Sequence, residues 1–103
     1  MEPEIYRFRF DPAVPMPAVH ESLRLAICAA EAVHGRPQVR LSFGYCADDE
    51  QRSAVLDART EAGGTVARIF TGLLTEHLGE QAFRVERVGA GTAVPAPPED
   101  ASS

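Results

Sequence analysis

An α+β fold is what this sequence predicts: a two-layer sandwich in which one four-stranded antiparallel sheet carries two helices on one face. Three observations predict it. Short runs near both ends and in the middle of the chain alternate apolar with polar residues, the signature of half-buried strands. Two longer stretches repeat apolar residues at the three-and-four spacing of one helical face. The segments follow one another as strand, helix, strand, strand, helix, strand.

The first strand is Glu4 to Phe10, where Tyr6, Phe8 and Phe10 alternate with Ile5, Arg7 and Arg9. The aromatic side is expected to be dry and the arginine side wet. A proline-punctuated connection, Asp11 to Pro17, leads into a helix from Pro17 to about His34, stopped by Gly35 and by Pro37 just beyond, since glycine suits the left-handed position that ends a helix. Val19, Leu23, Ala26, Ile27, Ala30 and Val33 form its core stripe, and His20, Arg24 and Glu31 its polar strip. Leu25, Ala29 and Ala32 fall outside that stripe, so this helix is apolar over more of its circumference than one sheet needs.

Gln38 to Cys46 alternates again, with Val39, Leu41, Phe43 and Tyr45 on one side, and reads as the second strand. The polar tip Ala47 to Arg52 joins it to a third, in which Ala54, Leu56 and Ala58 alternate with Val55, Asp57 and Arg59, so the pair makes a hairpin. Gly64 to Gly79 is the second helix. Its buried face is predicted to hold Val66, Phe70, Leu73, Leu74 and His77, and its outer face Thr65, Arg68, Gly72 and Thr75. Ala82 to Val88 supplies the last strand, with Phe83 and Val85 turned inward. Residues 1–88 thus make a single α+β domain, and the Gly, Pro and Ala-rich stretch 89–103 has no periodic apolar pattern and is expected to be a disordered tail.

At 103 residues the chain has room for one core. Its 45% hydrophobic and 24% charged residues are ordinary for a globular protein, and no run reaches the roughly 20 apolar residues of a membrane span. A net charge of −5 argues against nonspecific attraction to nucleic acid or to an anionic membrane. The acidic start lacks the basic and apolar regions of a secretory signal, and Cys28 and Cys46 have no CxxC spacing, so a cytoplasmic protein with two reduced thiols is expected.

The element order resembles the ferredoxin-like split βαβ arrangement, two crossover units joined by a hairpin, with the first and third strands at the centre of the sheet. That is a likeness of fold, and the fold hosts many unrelated functions. Acylphosphatases share the topology and cradle phosphate in the loop after the first strand, but here that loop is proline-rich and carries neither glycine nor arginine. No CxxC stands there for a heavy metal, and the exposed aromatic platform of RNA-binding domains of this topology is missing if Tyr6, Phe8 and Phe10 face the helices.

Two surfaces are candidates for function. Leu25, Ala29 and Ala32 on the first helix, with Arg68, Gly72 and Thr75 on the second, would form an outward apolar and small-residue layer fit for a protein partner or a second copy. A glycine in mid-helix costs about 1 kcal/mol relative to alanine, which makes Gly72 notable. The alternative is an anion or nucleic-acid cradle of Arg7, Arg9, Arg40, Arg59 and Arg84 on the open sheet face, because guanidinium groups pair bidentately with phosphate and carboxylate oxygens. His77, His20, His34 and the cysteines lack metal-ligand spacing, and Asp48, Asp49 and Glu50 lack the spaced ligands of a calcium loop. GxSxG, HExxH, P-loop and GxGxxG motifs do not occur. The expectation is a non-enzymatic interaction module without cofactor or metal.

Overall fold

A computed structural model describes residues 5–88. The segment 89–103, expected to be a disordered tail, lies outside them. The elements are β1 (Ile5–Phe10), α1 (Met16–His34), α2 (Arg36–Ser42), β2 (Tyr45–Asp48), β3 (Ser53–Asp57), α3 (Glu61–Leu78), a 3-10 turn (Glu80–Ala82) and β4 (Phe83–Val88). This is a mixed α+β structure, with a four-stranded sheet in the order β2-β3-β1-β4 and every neighbouring pair antiparallel. Three helices, rather than two, stand among the described residues.

The extra helix corrects the second strand. Gln38 to Ser42 is helical, because Gly35 takes a φ of 90° and ends α1, and Pro37 then stands in the first turn of α2, where its missing N–H costs nothing. Only Val39 from this segment is buried, and Leu41 is 87% exposed. The strand is confined to Tyr45–Asp48. Thr60 ties the new helix down: its hydroxyl donates to the Ser42 carbonyl at 2.9 Å while accepting the Gly63 N–H at 3.0 Å, so one side chain caps α3 and anchors the end of α2.

The core lies between the even-numbered face of β1 and the helices. Phe8, Phe10, Ala54 and Leu56 from the sheet meet Val19, Leu23, Ala26 and Ala30 of α1, Val39 of α2, and Val66, Ala67, Phe70 and Leu74 of α3. Phe8 packs edge-on against Phe70 with ring centroids 4.9 Å apart, a geometry that the ring quadrupoles favour. Burial departs from expectation at Ile5, Val33 and Val85. Ile5, placed on the wet side, is only 2% exposed, held in a central strand between Asp57 and Val88. Val33, placed in the core stripe, is 71% exposed in the last turn of α1. Val85, placed on the dry side, is 43% exposed because β4 is an edge strand and the sheet stops there.

Arg52 joins the hairpin to the loop after β1. With a φ of 53°, it accepts the Phe10 N–H on its carbonyl at 2.9 Å. Its guanidinium donates to the carbonyl of Asp11 at 3.1 Å and to that of Val14. The polar tip expected at Ala47 to Arg52 is therefore strand at Ala47 and Asp48 and a turn beyond them, ending in the Arg52 strap.

Candidate functional site

The open sheet face is narrower in positive charge than the sequence suggested. Strand alternation and register put Arg7, Arg9, Arg84, Glu86 and Asp57 on it. Arg40 is not there: it lies on α2 and, with Arg36, flanks the largely covered Glu31 at 3.8 and 3.9 Å. Arg59 follows the end of β3 and folds back on Asp57, donating from Nε at 2.9 Å and from Nη2 at 2.8 Å. That bidentate pairing holds the Asp57 carboxyl below the usual carboxylate range, against partial burial that pushes it up, and raises Arg59 in return. Glu86 serves both Arg7, at 3.7 Å, and Arg9, at 3.3 Å. Arg84 lies directly across from Arg9, and no ion pair joins it to another described residue.

The candidate residues of the helical layer lie on α1 and α3. Leu25, at 46% exposed, and Ala32 lie at the surface of α1, with Ala29 half-buried between them and Cys28 exposed beside them. Val33 extends the ridge toward the end of the helix. On α3, Arg68, Gly72 and Thr75 are all exposed, and a β-carbon added to Gly72 would meet nothing within 4 Å. Thr65 departs from its expected outward position. It is buried because the C-terminal end of α1 comes over it: its hydroxyl donates to the Glu61 carbonyl at 3.1 Å and accepts from Arg68 Nη2 at 3.4 Å, while His34 Nε2 lies 2.8 Å away. A hydroxyl has one proton, so His34 is the donor and its Nε2 carries the hydrogen.

Polar groups elsewhere have structural partners. His20 Nε2 donates to Asp49 at 2.7 Å, joining α1 to the hairpin turn; among the described residues it bonds no serine, threonine or cysteine that it could activate. Asp48 caps the turn through the Gln51 N–H at 3.1 Å. His77, assigned to the buried stripe, is exposed in the last turn of α3. Both cysteines are free thiols, and among the described residues no group of three or more His, Cys, Asp or Glu is placed to hold a metal ion.

Two apolar surfaces escaped the reading of the sequence. Phe43 stacks on Tyr45, with centroids 5.5 Å apart, beside exposed Leu41 at the β2 edge; the Gly35-Arg36-Pro37 break was the available signal that Leu41 is helical and outward. Val85 on the outer edge of β4 is the other. Its signal was the flanking Arg84 and Glu86, charges of the kind that mark an unpaired strand.

No protein-family model, curated protein or solved structure matches this chain. No helix among the described residues is long and apolar enough to cross a membrane.

Proposed function

We propose that this chain is a non-enzymatic interaction module that receives a partner protein on the layer formed by α1 and α3. The observation that carries the reading is the apolar ridge of Leu25, Ala32 and Val33, open to solvent along one helix with Ala29 half-buried among them, beside an α3 surface kept low by Gly72. Apolar side chains exposed in a contiguous row mark interaction sites more often than isolated ones do. Arg24, Glu21 and Arg68 border the ridge and would set the orientation of the partner, as polar rims do. The fold is proposed to be the ferredoxin-like split βαβ, supported by β1 and β3 at the centre of the sheet. A reducing, cytoplasmic setting agrees with the two free thiols.

The anion-binding alternative now has as its support only Arg7, Arg9 and Arg84 on one face, two of them already sharing Glu86. It predicts salt-dependent binding of RNA or phosphorylated ligands that Arg9→Glu weakens.

A photoreactive residue at Leu25, introduced into the full chain in its native host, tests the leading reading against the same residue at Gln51 on the hairpin turn. A discrete adduct from position 25, absent from position 51 and lost with Gly72→Arg, is expected. No adduct at 25, or equal adducts at both positions, removes the reading.

A further inference from the structure

We propose that the outer edge of β4 is a self-complementary seam on which two copies of this chain pair antiparallel about a two-fold axis. The seam is separate from the α1–α3 ridge and does not depend on it. Among the described residues nothing pairs with that edge. Asp11 N–H bonds Ala82 C=O at 2.9 Å in the β1–β4 ladder, and ladder bonds alternate along an antiparallel pair. Arg84 and Glu86 therefore point their backbone groups at β1, and Phe83 and Val85 turn theirs to the open edge.

Within the strand Phe83-Arg84-Val85-Glu86-Arg87-Val88, the central Arg84-Val85-Glu86 reads as its own complement when reversed about Val85, with Phe83 falling opposite Arg87. In that register Val85 faces the Val85 of the second copy, exchanging both N–H···O=C bonds and covering the exposed valine. Arg84 then meets the second copy's Glu86, and Glu86 meets its Arg84. These are the non-hydrogen-bonded positions, where opposite α-carbons approach to about 4.5 Å and side chains are closest. Sliding the second strand by two residues either way sets Arg84 against Arg84 or Glu86 against Glu86, so charge selects one register. The monomer supplies a further reason: Arg84 lies opposite the like charge of Arg9, an arrangement that costs stability, and the second copy's Glu86 relieves it. Directly opposed residues point to the same face, so the result is one continuous sheet of twice the width with the helices of both copies on one side.

Sedimentation velocity of the full chain between micromolar and 100 µM concentrations, about the range in which small interfaces are populated, tests this. A dimer is expected. Arg84→Glu alone, or Glu86→Arg alone, sets like charges opposite each other twice and should raise the dissociation constant about tenfold or more, with circular dichroism reporting an unchanged fold. Mixing these two variants should restore association, as a heterodimer, because each then supplies the charge the other lacks. Val85→Pro should abolish the dimer by removing the central N–H. A wild-type chain that stays monomeric overturns the proposal. So does a dimer indifferent to the β4 variants, one broken by Leu25→Glu in their place, or failure of the mixed variants to associate.

Discussion

Gly63 stands with its α-carbon against the backbone of Asp57. A β-carbon there would run into the Asp57 carbonyl oxygen and come within 3.1 Å of Thr60 Oγ1 and 3.3 Å of the Ala58 α-carbon. Helix α3 can lie this close to the end of β3 only because the side chain is missing. Gly63→Ala is therefore expected to lower stability by about 2–3 kcal/mol. In the same helix Gly72→Ala meets no neighbour and should raise it by about 0.5–1 kcal/mol through helix propensity. Urea denaturation of the two variants checks this opposition of sign.

Thr60 is expected to matter at two places at once. Thr60→Ala removes the cap on the Gly63 N–H and the anchor on the Ser42 carbonyl, and should cost about 1–2 kcal/mol. Hydrogen exchange should accelerate at Val39 to Phe43 as well as in the first turn of α3, whereas Thr60→Ser, which keeps the hydroxyl, should leave both slow.

The Asp57–Arg59 pair gives stability a pH dependence of known sign. A carboxyl whose folded pKa is depressed contributes stability that is fully present above its unfolded value, about 3.9, and is lost as pH falls through the lower folded value. Asp57→Asn should be less stable than the parent by roughly 1 kcal/mol at neutral pH. Thermal melts from pH 7 downward should converge once the parent carboxyl is protonated.

His34 and Thr65 join the end of α1 to the start of α3 across 2.8 Å. His34→Ala, Thr65→Val and the double variant should show a coupling of about 1 kcal/mol in a double-mutant cycle. Thr65→Val should be the worse of the single changes, since it also removes the contact with Arg68.

Five of the six expected elements were legible because their periodicity and their stop signals agree: aromatic alternation in β1, a glycine beyond each long helix, and alternation again in β3 and β4. Gln38 to Ser42 was misread because Val39, Leu41, Phe43 and Tyr45 satisfy a period of two. A seven-residue helix followed by a short strand yields the same pattern, and Gly35 with Pro37 decides between them. The helical ridge was visible because α1 has more apolar residues than the sheet can cover. Thr65 was misplaced because its burial comes from His34, which is 31 residues away. Arg40 was counted on the sheet as a consequence of the same mistaken strand, and Val85 was counted as dry because alternation gives the face of a residue without showing where the sheet ends.

The strand order carries a consequence for how the chain is made. β1 is bonded on one flank by β3 and on the other by β4, so it is translated well before either of its neighbours. Its aromatic residues must wait, screened only by nascent helices, until β4 emerges. Completion of the fold is thus a late, all-at-once event dominated by distant contacts, and chains cut short before Phe83 should fail as a whole and not lose a single strand.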